Sequence, residues 1–145
     1  MPRKARERSA TGCYHIMGRG INHAAIYNDD ADNMNFLHIL DFCADEDFTI
    51  FAYCLMGNHF HLLAKADADV LQHVMKAVGI RYVAYFNRRY QRDGPLFRGR
   101  YNSQPVTTKG YFLRVLRYIH RNPVAAGIVQ EMQDYPWSSY LDYFG

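Results

Sequence analysis

The chain predicts an α+β fold in which helices pack mainly on one face of an antiparallel β-sheet. Three observations lead there. Strand-like and helix-like runs alternate in the order β-α-β-β-α-β-α. A Gly57-Asn58 turn joins two strand-like runs into a hairpin. The longest periodic run, Leu71–Tyr90, repeats apolar residues at three-four spacing, as an amphipathic helix does. Elements in this order bury their apolar faces most simply as one sheet covered by helices.

Tyr14–Arg19 alternates and stops at Gly20, as a strand does. Asp30–Cys43 spaces Met34, Leu37, Ile39, Leu40 and Phe42 like a helix, with Asp30 and Asp32 as candidate N-caps. Phe48–Leu55 is rich in β-formers. After the Gly57-Asn58 turn, His59–Lys65 returns as the second hairpin strand. Gly94-Pro95 separates the long helix from a short strand within Leu96–Val106. Lys109–Asn122 forms a last helix around Phe112, Val115, Leu116 and Ile119, ending where Pro123 disfavours helical geometry at Asn122. The tail, 123–145, is aromatic enough to pack back on the domain, and residues 1–10 read as a mobile basic arm. The 145 residues form a single domain.

Net charge is only +3, but it is unevenly spread. No Lys or Arg occurs from Ile21 to Ala64. Seven basic residues fall between Lys76 and Arg100 against one acid, Asp93. A local basic block interleaved with Tyr and Phe suits a surface for single-stranded nucleic acid, where cations follow the backbone and rings stack on bases. Arg81, Arg88, Arg89, Arg92, Arg98, Arg100 and Tyr101 are the candidates there, joined by Arg114 and Arg121 on the last helix. A solvated helix face is the plainer alternative. Cys13, Cys43 and Cys54 are widely spaced and form no CxxC pair, which supports neither a disulfide framework nor a zinc ribbon and suits a reducing cytoplasm. No apolar run is long enough to span a membrane.

His59 and His61 share one face of their strand, because successive side chains point to opposite sides. Two ordinary strand histidines would look the same. Unpaired imidazoles are costly inside an apolar strand, however, and two of them can bind one metal ion. No Cys partners are at hand for a closed zinc site. An open site with oxygen or amide ligands suits Mg2+ or Mn2+. On the last helix, Tyr118 and Asn122 stand one turn apart on the side bordering the core stripe. Tyr118 is either a hydrogen-bonding boundary residue or a nucleophile, which its free pKa of about 10 would leave weak without a metal beside it.

Four motifs together resemble a known family: YCLMGNHFHLL (Tyr53–Leu63), GPLFRGRYNS (Gly94–Ser103), RYIHRNPVAAG (Arg117–Gly127) and YPWSSY (Tyr135–Tyr140). In order and spacing they are similar to the REP-associated tyrosine transposases, single-tyrosine enzymes of the HUH (His-hydrophobic-His) type. Gly57 departs from the Pro that many relatives carry before Asn. The resemblance implies a ferredoxin-like arrangement with the HUH strand central. It implies metal ligation by His59, His61 and Asn122 and nucleophilic attack by Tyr118. The substrate implied is single-stranded DNA bearing imperfect hairpins. It is cut through a 5′-phosphotyrosine link and rejoined without a nucleotide cofactor, by a monomer or a homodimer. Two alternatives remain at this point: a host-retained single-stranded nucleic-acid-binding protein that no longer cuts, and a metal phosphodiesterase that uses water.

Overall fold

The computed structural model describes residues 5–144. The strands are β1 (Cys13–Arg19), β2 (Thr49–Met56), β3 (His59–Lys65) and β4 (Asn102–Pro105). The helices are α1 (Asp30–Cys43), α2 (Ala68–Tyr90), α3 (Lys109–Ala125) and the short α4 (Tyr140–Phe144). The four strands form one antiparallel sheet in the order β2-β3-β1-β4. That order, with α1 and α2 as crossovers, is the ferredoxin-like arrangement, and β3 is central.

The helices divide between the two faces. Phe36 and Leu40 of α1 and Leu71, Val74, Met75 and Val78 of α2 bury Tyr14, Ile16, Phe60, Leu62 and Ala64 of the sheet. Val115 and Ile119 of α3 pack on the opposite face against Ala52, Cys54, Met56 and Leu63. Two long helices thus share one face, and α3, with Tyr135 of the tail beside it, packs on the other.

Three local details differ from the sequence reading. The N-cap of α1 is Asp29, whose carboxylate accepts from Asp32 N at 3.1 Å; Asp30 and Asp32 lie inside the first turn. Helix α3 runs past Asn122 with Pro123 inside it. Pro123 forfeits only its own N–H, and Ala126 N still donates to Asn122 O at 2.9 Å, so the last turn closes. Of the basic arm at 1–10, residues 1–4 lie outside the described part. The rest is docked: Arg6 donates to Tyr101 O at 2.7 Å, and Arg8 pairs with Asp69 at 3.3 Å.

The aromatic tail lies along the free edge of β2. Leu55 N donates to Trp137 O at 2.8 Å and Ser139 N to Tyr53 O at 3.0 Å. The Ser139 hydroxyl accepts from Tyr53 N at 2.9 Å and lies 2.8 Å from His120 Nε2 of α3. The tail therefore occupies the backbone groups of an exposed sheet edge and ties that edge to α3. Among the described residues, no helix is long and apolar enough to cross a membrane.

Candidate active site

Strand β3 turns His59, His61 and Leu63 toward the α3 face, because its alternate residues, Phe60, Leu62 and Ala64, fill the core on the other side. Pairing on both edges fixes its register: Met17 and Cys54 flank His61, and Arg19 and Met56 flank His59. His61 is only 1% exposed, and His59 is half-buried. Asn58, at the end of the hairpin turn, accepts a hydrogen bond from His59 Nδ1 at 2.7 Å. That bond leaves the His59 Nε2 lone pair available.

Helix α3 is set over this strand by its cap and its seam. The Thr108 hydroxyl accepts from Tyr111 N at 3.1 Å, and Val115 and Ile119 seat the helix on β2 and β3. Tyr118 and Asn122, one turn apart, then border the seam above the histidines. Asn122 Nδ2 lies 3.0 Å from His61 Nε2. The Tyr118 ring meets His61 edge-on, with centroids 5.5 Å apart, and remains 54% exposed. Tyr111 packs into the seam instead, beside Phe112 and Leu116.

A residue that the sequence did not single out completes the group. His15 of β1 places Nε2 3.0 Å from His61 Nδ1, stacks on the His61 ring at 5.2 Å and meets the Tyr118 ring at 6.0 Å. Its signal was an even-odd match with His61 across two strands, which needs the β1–β3 register to be seen. With Asn122 Nδ2 donating to His61 Nε2, the His61 proton must sit on Nδ1 and be donated to His15 Nε2. Burial lowers the pKa of His15 and of His59. Burial, reinforced by His15 and His59, pushes His61 down to about 3. All three imidazoles are therefore neutral near pH 7, the form that can bind a metal.

The donor set suits a hard or borderline divalent cation. It offers Nε2 of His59 and, when the Asn122 amide turns its oxygen inward in place of Nδ2, Nε2 of His61 and Asn122 Oδ1, with Nδ1 of each histidine held by a neighbour, as in most metal-binding histidines. Among the described residues, no group of three or more His, Cys, Asp or Glu converges so as to hold a metal. The site thus has no thiolate or carboxylate cage, and it stays open to oxygen ligands from a substrate.

The basic residues separate into three sets. Arg89 is committed within the fold rather than to the surface: its guanidinium pairs with Asp29 at 2.6 Å and with buried Asp32 at 2.7 Å, joining α2 to the start of α1. Arg92 is likewise held, by Asn87 Oδ1 at 2.6 Å and Pro95 O at 3.4 Å, where it closes the end of α2. Arg81 covers the exposed Phe42 ring and Arg114 the Tyr111 ring. Arg88, Arg98, Arg100 and Arg121 are exposed, and Tyr101 is half-buried under Arg6. Of the nine predicted nucleic-acid contacts, Arg114 and Arg121 share α3 with Tyr118, while Arg98, Arg100 and Tyr101 gather around a cavity between α2 and the segment before β4.

The sequence profile described as "Transposase IS200 like" matches residues 9–122, a stretch that takes in His15, His59, His61, Tyr118 and Asn122. The chain belongs to the IS200-like transposase family. Two solved structures place its fold among transposases as well. A REP-associated tyrosine transposase bound to a REP hairpin is 15% identical with a TM-score of 0.75, covering 98% of this chain and 84% of that one. A protein of Deinococcus radiodurans described as a transposase is 19% identical with a TM-score of 0.50, covering 83% of this chain and 95% of that one. No curated protein matches the chain. The profile of the IS200-like family ends at Asn122, so the tail that closes the β2 edge lies outside the matched stretch.

Proposed function

We propose that this IS200-like transposase cuts and rejoins single-stranded DNA marked by imperfect hairpins, using Tyr118 as its nucleophile. One observation carries the reading: His61 of β3, with His59 beside it, lies against Tyr118 and Asn122 of α3, although some 60 residues separate the two elements in sequence. A shared reaction centre accounts for a half-exposed tyrosine held beside buried, neutral histidines.

Each side chain has a role in this scheme. His59, His61 and Asn122 would hold Mg2+ or Mn2+, which when bound supplies positive charge to a phosphate oxygen. Tyr118 Oη attacks the scissile phosphorus, the bond from phosphorus to the 3′-oxygen breaks, and the tyrosine proton ends on that oxygen. The products are a 5′-phosphotyrosine and a free 3′-hydroxyl. One phosphoester replaces another, so no nucleotide is needed, and reversal rejoins a strand. His15 is a positioning residue that fixes the His61 tautomer. The solved relative bound to a REP hairpin supports a hairpin-marked substrate. The tail on the β2 edge supports a chain that acts as one unit, with Tyr118 serving its own histidines.

The test is an oligonucleotide hairpin with single-stranded flanks, incubated with Mn2+ and run under denaturing conditions. The wild-type protein should form an SDS-resistant adduct, and Tyr118→Phe should form none. An adduct that persists in Tyr118→Phe would overturn the assignment and direct attention to Tyr111. Cleavage without any adduct would mark a water-using phosphodiesterase, and tight binding without cleavage a retained DNA-binding protein.

A further inference from the structure

A cavity of about 760 Å³ opens between α2 and the segment 95–101, on the sheet face opposite the histidines. Its walls are apolar: Phe36 and Phe60 from the core, Met75 and Val78 from α2, Leu96 and Phe97 from the segment before β4. Two glycines give it depth. At Gly18 a Cβ would stand 2.5 Å from the Phe60 ring, so the bare backbone is what lets that ring lie beneath β1. At Gly79, inside α2, a Cβ would meet no atom within 4 Å, so the missing side chain leaves open space beside the cavity.

The mouth of the cavity carries the opposite chemistry. Arg19, Lys76, Arg98 and Arg100 line it together with Arg6, and among the described residues no carboxylate does. Arg19, Lys76, Arg98 and Arg100 are exposed. Among the described residues, none of those four takes part in a salt bridge. An apolar, aromatic interior beneath a purely cationic rim matches a ligand with a flat apolar ring on an anionic chain. Position adds to this. Arg19 lies directly across from His59 in the β1–β3 pairing, yet it also lines the cavity, and Arg98 N donates to Arg19 O at 2.8 Å. Strand β4 pairs only with Tyr14–Met17, so among the described residues this end of β1 is covered by the segment that forms the cavity.

We infer that the cavity receives an unpaired nucleobase of the single-stranded DNA that crosses Arg19 from the histidine site, with Arg19, Lys76, Arg98 and Arg100 on the flanking phosphates. A base in a duplex could not enter, so the cavity selects single strands next to the cut. The protein thereby reads part of its target directly, through ring stacking and shape, besides whatever the hairpin supplies. The inference rests on the proposed DNA-cutting function only in taking single-stranded DNA as the ligand.

The experiment measures binding in EDTA, so that no cleavage intervenes. The probes are oligonucleotides of dA, dC or dT and an abasic strand of equal length, which has the same backbone and no bases. The wild-type protein should prefer the best base-bearing strand over the abasic one by about tenfold, the scale of a single buried stacking contact. Gly79→Leu places a side chain in the open space beside the cavity, where its Cβ meets no atom within 4 Å. It should lose most of that preference while binding the abasic strand as before, and Gly79→Ala should behave like wild type. Arg98→Gln should weaken both strands alike. An unaltered preference in Gly79→Leu, with its fold intact by thermal melting, would overturn the cavity's role. So would equal binding of base-bearing and abasic strands by the wild type. Should adduct formation fail while Gly79→Leu still removes the preference, the cutting reading falls and the base pocket stands. Adducts formed while Gly79→Leu keeps the preference leave the cutting reading standing and remove the base pocket.

Discussion

Replacing His15 by Ala tests how the proposed metal site is held without touching any group proposed to react. His61 is almost wholly buried, with Nδ1 3.0 Å from His15 Nε2 and Nε2 3.0 Å from Asn122 Nδ2. Without His15, a buried N–H loses its acceptor, which costs about 1–3 kcal/mol. The ring can avoid that cost by moving its proton to Nε2, but it then blocks the nitrogen proposed to bind the metal. Either route penalises the metal-bound state, and outer partners of metal histidines typically contribute about 10–100-fold in affinity. Mn2+ titration followed by calorimetry or by the loss of the free-ion paramagnetic signal, without DNA, should show His15→Ala weaker by that range. His15→Gln offers an amide oxygen in place of Nε2 and should recover most of the loss. Tyr118→Phe should bind Mn2+ like wild type. If His15→Ala bound Mn2+ as tightly as wild type while His59→Ala did not bind it, the ordering role given to His15 would be wrong.

Arginines of the same basic block should separate by assay. Arg89→Gln should lower the melting temperature, because Asp32 is buried and loses its cation, and leave the salt dependence of single-strand binding unchanged. Arg98→Gln should do the reverse, reducing the slope of log affinity against log salt by about 0.7. Stability should also fall as pH drops below about 6.5. Unfolded His61 takes up a proton near 6.5, but folded His61, pushed to about 3 by burial, does not until far lower pH. The unfolded state therefore holds more protons between these values, and stability rises with pH across that window and levels off above it. A shift of that size is on the order of 5 kcal/mol, and His61→Leu should flatten most of a melting-temperature profile measured in EDTA, with His15, His59 and His120, also lowered by burial, contributing the remainder. Removing the segment after Gln130 should bare the β2 edge and produce concentration-dependent association in light scattering; a truncated chain that stayed monomeric would show that the edge needs no cover.

The hairpin and its histidines were legible because their cues are local. A Gly-Asn turn and a two-residue period put His59 and His61 on one side before any tertiary contact is known. Tyr118 and Asn122 were legible for the same reason, on a three-four period. What escaped depends on partners far away in the chain. His15 matters only through the register that sets β1 against β3. Arg89 looks like its basic neighbours until Asp29 and Asp32 of α1 arrive beside it. Which face α3 would cover was also hidden, since an amphipathic helix records that it has an apolar side and not which sheet face that side will meet. The identity of the N-cap, Asp29 rather than Asp30 or Asp32, turned on one backbone contact in a run of acids that offers several.

Tyr118 and Asn122 ride on a single helix, and the two histidines on a single strand, so the packing of that helix on that strand sets the spacing of the whole centre. That joint is the aliphatic seam of Cys54, Met56, Leu63, Val115 and Ile119. Its side-chain volume works as a shim under α3. Trimming or thickening it by one methyl group, at Ile119 or Leu63, would move tyrosine and amide together relative to the imidazoles and leave every proposed site residue in the sequence. Cores feel changes of that size. Conservative aliphatic drift in this seam would therefore act on the proposed centre through mutations that an inspection of Tyr118, Asn122 and the histidines alone would pass as harmless.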